Sequence, residues 1–327
     1  MPPSAYRTIY ILCPARVRTG GPEALHQLGR ALRDLGHDAQ MVYLTDPRQI
    51  GTREGDSVTF PGVADPTPQA YGEYAVPYTF QVADTVENAV VVPETLPGVA
   101  QSFRHVKRHL WWLSVDIGLK PVAAVGGLDT LRDDSWVHMC QSHYALAYLA
   151  QRGIIGLPLF DYTSPTHIAA ASKNDAANQR QDRILYPARS AWFAGWLKRW
   201  APDLAWQEIV GLTSDQAQRL FLTSKLYIDF GRHPGKDRMP REAAILGCCI
   251  ITGRQGSAAN LFDVPILSNY KYRDSRMNVP QIVRGIRTVL AEYACRLPDF
   301  AIYRQIIAGE REEFISQVKR AFGWQDG

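Results

Sequence analysis

The stretch Leu226-Tyr-Ile-Asp-Phe-Gly-Arg-His-Pro-Gly-Lys-Asp-Arg-Met-Pro-Arg-Glu-Ala-Ala-Ile-Leu-Gly-Cys-Cys-Ile-Ile-Thr252 carries the strongest structural signals in the chain. Its first residues are apolar and β-rich, which predicts a strand over Leu226–Phe230. A polar loop follows, and Pro240–Leu246 is predicted to form a helix, since proline suits its first position and Gly247 its end. The apolar run Cys248–Thr252 predicts a second strand. The stretch therefore predicts a strand, a loop, a helix and a strand in sequence.

Three cationic residues surround the predicted start of this helix, namely Lys236, Arg238 and Arg241. Backbone N–H groups at a helix N-terminus bind anions, and a phosphate or diphosphate suits such a site. Glu242, in the same turn, could accept hydrogen bonds from ribose hydroxyls. The alternative is an ordinary solvated loop. Glycine and proline residues between the two strands favour a fixed backbone course and hence the anion site.

Length and composition indicate a globular protein of two ordinary domains. The chain has 327 residues, of which 46% are hydrophobic and 21% charged, and its net charge of +4 is too weak to indicate a nucleic-acid partner. The five cysteines are unevenly spaced, which favours a reducing compartment. No apolar run approaches the roughly 20 residues of a membrane span, and we expect no signal peptide. These features predict a cytoplasmic protein.

The first half of the chain repeats the alternation of strands and helices. A buried strand over Thr8–Cys13 leads into a loop with Gly20 and Gly21, a helix over Glu23–Gly36 and a strand over Asp38–Leu44. Such a unit is typical of a parallel sheet. Residues 46–80 are predicted to be irregular. Further strands are predicted over 89–92, 109–115, 136–140 and 155–162, and a helix over 143–151.

A small, polar stretch at 169–182 is predicted to be a linker or mobile loop. Alternation resumes after it, and two long helical stretches end the chain. We therefore predict an N-terminal Rossmann-like domain over residues 1–172, a C-terminal one over 183–305, and a final helix over 306–327 that crosses back to the first domain. Strands are predicted over 183–186 and 206–210, and helices over 190–200, 215–222, 279–296 and 303–322.

Five motifs resemble GT-B glycosyltransferases. The elements Gly20–His37 and Pro240–Ser257 are similar to the Gly-Gly helix and the Pro-x-Glu-Ala element of the retaining, family-4-like enzymes. The segments Trp111–Asp116, Tyr186–Arg189 and His233–Arg238 resemble a subgroup from bacterial polysaccharide and capsule gene clusters. The resemblance implies an α/β protein of two Rossmann-like domains that face each other across a cleft. It also implies transfer of a sugar from a nucleotide sugar, UDP- or GDP-linked by family default, to a glycan or lipid-linked acceptor.

The predicted donor site consists of cations and glycine-rich backbone. The residues expected to bind the nucleotide sugar are Arg189, Lys236, Arg238, Arg241, Glu242, Gly256 and Ser257, with Gly20 and Gly21 on the opposite wall. Cationic side chains and a helix N-terminus can stabilise a departing nucleotide without a metal. No Asp-x-Asp pair stands at a strand end, so no metal and no separate cofactor are expected.

The catalytic assignments are Asp116, His233 and Asp229. Asp116 is predicted near a strand end as a general base, although an aspartate there is commonly a turn or cap residue. His233 is placed to reach a phosphate or the donor. The family's first glutamate falls on Pro234 here, and Asp229, at the end of the preceding strand, is the carboxylate proposed in its place. This departure leaves open whether the reaction retains or inverts configuration.

Two other functions fit the same residues: a nucleotide-sugar 2-epimerase, and a non-catalytic glycan- or nucleotide-binding subunit of a polysaccharide assembly system. The basic and aromatic segment Phe103–Leu113 suits peripheral contact with the inner face of a membrane, but packing of its tryptophans in the core is favoured. Trp192, Trp196 and Trp200 recur at helical spacing and are interpreted as a buried stripe.

Overall fold

The computed structural model describes residues 6–172 and 180–323. They form two compact α/β units. One comprises residues 6–161 and 312–323, and the other comprises residues 162–172 and 180–311. No helix within these described ranges is long and apolar enough to cross a bilayer.

The first unit is built on a seven-stranded parallel sheet in the order β10-β9-β8-β7-β1-β2-β5, beside a small antiparallel sheet β3-β4-β6. Its strands are β1 (Thr8–Pro14), β2 (Asp38–Leu44), β3 (Thr52–Glu54), β4 (Ser57–Thr59), β5 (Tyr78–Thr79), β6 (Gln81–Ala83), β7 (Ala89–Pro93), β8 (Lys107–Trp112), β9 (Trp136–Cys140) and β10 (Gly156–Pro158). Its helices include α1 (Gly20–Asp34), α2 (Val115–Ala124) and α3 (His143–Ala150).

The second unit is built on a four-stranded parallel sheet in the order β12-β11-β13-β14. Its strands are β11 (Gln181–Pro187), β12 (Ala205–Ile209), β13 (Ser224–Asp229) and β14 (Cys249–Thr252). Its helices are α4 (Pro165–Ser172), α5 (Ala191–Trp200), α6 (Ser214–Thr223), α7 (Arg238–Ile245), α8 (Val279–Ala291), α9 (Tyr293–Arg296) and α10 (Ala301–Ala308), and α11 (Glu310–Ala321) follows.

Both large sheets have a central strand that is almost entirely buried. All five residues of β7 are buried, as are the last four of β13, because helices cover both faces of a parallel sheet. In the second sheet the chain runs outward from β11 to β12 and then crosses to β13 on the other side. The carboxyl ends of β11 and β13 therefore form the topological switch point, where open α/β sheets bind ligands.

Several predicted boundaries are wrong, for identifiable reasons. The Gly20-Gly21 loop is in fact the first turn of α1. The predicted strand over 109–115 extends too far, because the apolar run continues past the end of β8 into the first residue of α2. Asp116 therefore lies in the first turn of that helix. Residues 46–80 are irregular over much of their length, as predicted, but they also contain the short strands β3, β4 and β5.

The predicted linker over 169–182 is also corrected in part. Residues 169–172 belong to α4, and β11 begins at Gln181, while residues 173–179 lie outside the described ranges. The two long C-terminal helices are each interrupted, the second at Gly309 between α10 and α11.

Candidate functional site

The candidate site lies at the carboxyl edge of the second sheet, at its switch point. Arg189 is in a short turn after β11, and residues 230–237 connect β13 to α7. The third loop, after β14, contains Gly253–Ser257. The sequence-predicted residues of this unit therefore converge on one sheet edge from three separate loops.

An ion pair between Arg189 and Asp229 forms the centre of this edge. The Arg189 Nε donates to Asp229 Oδ1 at 2.8 Å, and its Nη2 donates to Oδ2. Asp229 is fully buried and also accepts from Tyr227 Oη at 2.7 Å and Ser190 Oγ at 3.1 Å. Burial alone would raise the pKa of Asp229, but the charge of His233 and the bonds from Arg189 outweigh it, so this pKa is lowered. Asp229 is thus an ionised anchor that fixes Arg189.

His233 links this pair to the start of α7. Its Nδ1 lies 2.6 Å from Asp237 Oδ2, and its Nε2 lies 3.7 Å from Asp229 Oδ1. Burial would lower the pKa of His233, but the two carboxylates outweigh it and raise this pKa. Arg189 Nη1 also lies 3.2 Å from Asp237 Oδ1. Within this cluster Asp229 and His233 are fully buried, whereas a third of the Arg189 side chain stays exposed and can reach a ligand.

Lys236 and Arg241 hold a carboxylate of the protein itself. Lys236 Nζ lies 2.9 Å from Glu310 Oε1, and Arg241 Nη1 donates to Glu310 Oε2 at 2.9 Å. Thr163 donates to the same oxygen from both its backbone N–H and its hydroxyl, each at 2.9 Å. All of these side chains are buried. The two cations therefore fix the loop after β13 to the first residue of α11.

Arg238 and Glu242 lie on α7 and are only half-buried. Arg238 Nη2 donates to the Tyr162 carbonyl at a long 3.4 Å. Within the ranges 6–172 and 180–323, no side-chain hydrogen bond or ion pair is made by the Glu242 carboxylate. The side chain for which the sequence predicts a ribose contact is thus half-buried on α7.

Gly256 and Ser257, in the loop after β14, pack against the loop after β13. Gly256 has φ +59°, and a Cβ there would lie 2.0 Å from the His233 carbonyl oxygen, so only glycine fits. The Ser257 N–H donates to the same carbonyl at 2.9 Å, and its hydroxyl donates to the Gly235 carbonyl. Their packing against the loop residues fixes the backbone around His233.

The candidates of the first unit cluster less tightly. Gly20 is exposed and Gly21 half-buried in α1, with room for a Cβ 3.6 Å from Leu113. Asp116 accepts from Tyr144 Oη at 3.2 Å. Glu94, directly after β7, is buried and accepts from the Leu113 N–H at 3.0 Å. Burial raises the pKa of Glu94 to about 8, against the backbone bonds that lower it.

Two features of the second unit were missed or misread from sequence. Glu310 carries no local motif, and only the folded chain brings it to Arg241. The tryptophans of α5 do not form a buried stripe, because Trp192 is 56% and Trp200 is 58% exposed. Trp111 and Trp112 are fully buried, which confirms that they pack in the core.

No family model and no curated protein matches the chain. Solved structures, in contrast, match it over nearly its whole length. The structure of Anabaena HepE in complex with UDP-glucose is 9% identical, covers 97% of this chain and 100% of its own, and has a TM-score of 0.62. The pneumococcal O-GlcNAc transferase GtfA, in complex with UDP and GlcNAc, is 10% identical and covers 97% and 99%, with a TM-score of 0.61.

A third match is the catalytic domain of starch synthase IV from Arabidopsis thaliana, bound to ADP and acarbose. It is 8% identical and covers 97% of this chain and 99% of its own, with a TM-score of 0.56. Identities this low establish the fold alone. The predicted fold class is confirmed: the chain has the two-unit α/β fold of the GT-B glycosyltransferases.

Proposed function

We propose that this protein is a glycosyltransferase that moves a sugar from a nucleotide-sugar donor to a glycan acceptor. The observation that carries the proposal is the Arg189–Asp229 pair at the switch point of the second sheet. A guanidinium that is held rigid by a buried carboxylate and partly exposed is well suited to a diphosphate. The fold supports this reading, because the three matching structures named above contain UDP-glucose, UDP or ADP.

Each residue of the site has a role in this proposal. Arg189 binds the phosphates of the donor, aided by Arg238 and the N-terminus of α7, and Glu242 binds the ribose. Asp229 and His233 contribute through Arg189 and Asp237 rather than by touching the substrate, because both are buried. These groups would stabilise the leaving nucleotide without a metal ion.

Lys236 and Arg241 have a different role from the one expected of direct phosphate ligands. Their charges are matched by Glu310, so they shape the loop after β13. Gly256 and Ser257 fix the backbone of that loop. In the first unit, Gly20 and Gly21 are assigned to the donor, and Asp116 to deprotonation of the acceptor hydroxyl.

The donor, the acceptor and the biosynthetic role are proposed from the resemblance of the sequence. We propose a UDP- or GDP-linked donor, a glycan or lipid-linked acceptor, and a place in bacterial polysaccharide or capsule synthesis at the inner face of the membrane. They rest on the segments Tyr186–Arg189 and His233–Arg238, on the partly exposed Arg189 in the first of them, and on the half-buried Glu242 of α7.

A thermal-shift screen with UDP, GDP, CMP, ADP and dTDP tests the proposal first, since a ligand of the native state raises the melting temperature. The nucleotide that binds then identifies the donor for a transfer assay with glycan acceptors. Arg189→Lys, which keeps a charge beside Asp229 but loses the planar fork, should weaken binding, whereas Arg199→Ala on α5 should not. A screen without any shift, or a donor that is isomerised without acceptor, would contradict the proposal.

A further inference from the structure

Trp192 is a large aromatic side chain in an unusually exposed position. It lies in the first turn of α5, three residues after Arg189, and 56% of its surface is exposed. Its neighbour Phe193 is fully buried, and the two rings lie 5.3 Å apart. The helix is therefore anchored by one aromatic residue while the other faces solvent.

The indole of Trp192 borders the backbone at the switch point. Gly231, just after β13, has φ +103°, and a Cβ placed on it would lie 3.7 Å from Trp192 Nε1 and 3.6 Å from the Arg189 carbonyl oxygen. The indole and Arg189 thus lie next to the same glycine. On the other side, the Gly231 N–H donates to Asp274 Oδ2 at 3.2 Å.

The other tryptophans of α5 have different surroundings. Trp196 lies between two guanidinium groups, with Arg276 at 3.9 Å and Arg199 at 5.1 Å from its ring centre. Trp200 is as exposed as Trp192 but lies at the opposite end of the helix from the turn that contains Arg189. Location at the switch point therefore distinguishes Trp192 from a tryptophan that is merely exposed.

We propose that Trp192 is the surface on which the nucleobase of the donor stacks. The inference rests on the proposed function, in which Arg189 binds the phosphates of the same molecule. An indole face accepts any planar base, because every base offers a π face. Stacking on Trp192 would therefore contribute affinity without selecting the base. Glycine is favoured at position 231 by its φ of +103°, a backbone conformation that other residues rarely adopt.

Isothermal titration of UDP, GDP and inorganic pyrophosphate into the full chain tests this assignment. Trp192→Ala should weaken the binding of the nucleotide by roughly 5- to 150-fold, the range found when a stacking aromatic is removed. It should leave the affinity for pyrophosphate unchanged, because Arg189 is intact. Trp192→Phe should retain most of the nucleotide affinity, and Trp200→Ala should match the wild type.

Two kinds of result would overturn the inference. Nucleotide affinity that survives in Trp192→Ala, or an equal loss for pyrophosphate, would overturn it and leave the proposed function standing. Failure of the wild type to bind any nucleotide of the thermal-shift screen would overturn both. Intrinsic fluorescence gives a second readout: the nucleotide should quench the wild type, and the difference in quenching between the wild type and Trp192→Phe should report the indole in contact with the base.

Discussion

The position of the Arg189 guanidinium is fixed by buried residues around it. Asp229 aligns the guanidinium, Tyr227 and Ser190 complete the shell of Asp229, and His233 adds positive charge beside it. In the proposed function, a buried carboxylate with this many partners would act by positioning Arg189, which costs no reorganisation when the substrate binds.

Asp229→Asn should therefore damage both stability and binding. Removing one partner of a buried ion pair leaves the other uncompensated, and we expect a loss of about 3 kcal/mol in the free energy of unfolding. Nucleotide affinity should fall as well, although Asp229 is fully buried. Urea denaturation and calorimetry on the folded variant check the two effects, and wild-type affinity in that variant would remove Asp229 from the site.

Glu94 should make the stability of the protein depend on pH. Its pKa is raised from 4.5 to about 8 by burial, so between these values the folded state holds a proton that the unfolded state has released. Stability must then fall as pH rises through that window, by at most about 1.4 kcal/mol per pH unit. Glu94→Gln should lose this dependence, whereas Glu87→Gln, an exposed control, should keep it. Urea denaturation at pH 5.5 and 7.5 measures the difference, and parallel curves for wild type and Glu94→Gln would contradict the raised pKa.

At the level of elements, α11 stabilises the site through its first residue. Glu310 is buried against Lys236 and Arg241, whereas Glu313, one turn later, is paired with Arg320 at the surface. The two glutamates carry the same carboxylate on one helix but lie in different environments. We therefore expect their removal to affect stability to different extents. Buried pairs are costly to break, and exposed pairs contribute little.

Glu310→Ala should destabilise the protein by about 3–5 kcal/mol, because it leaves two buried cations without a counter-charge. Glu313→Ala, at a side chain that is 57% exposed, should cost under about 1 kcal/mol. Differential scanning calorimetry of both variants compares them directly. Equal shifts in melting temperature would show that the buried network does not stabilise the loop after β13.

Elements whose ends are marked by glycine or proline could be predicted from the sequence, whereas elements without such residues at their ends could not. The strand, loop, helix and strand around α7 are confirmed within two residues at each boundary, because apolar runs there are separated by glycine and proline. In contrast, α2 follows β8 without a break in hydrophobicity. The site follows the same rule: Arg189 and Glu242 stand beside predicted strand or helix ends, whereas Glu310 is 69 residues from Arg241 and carries no local signal.

At the scale of the whole molecule, each of the two units is built on a parallel sheet, and the candidate site lies at the carboxyl edge of the second sheet. The fold match extends over 97% of the chain at 9% identity, so the architecture is preserved although few residues are shared. Function must then be tested at the site rather than inferred from the fold. The central claim is that the switch point of the second sheet binds the phosphates of a nucleotide.

A crystal structure of the protein with the nucleotide identified by the thermal-shift screen tests that claim most directly. Phosphate oxygens should lie within hydrogen-bond distance of the Arg189 guanidinium, with the bond to Asp229 retained. A nucleotide bound elsewhere, with Arg189 contacting only Asp229 and Asp237, would contradict it.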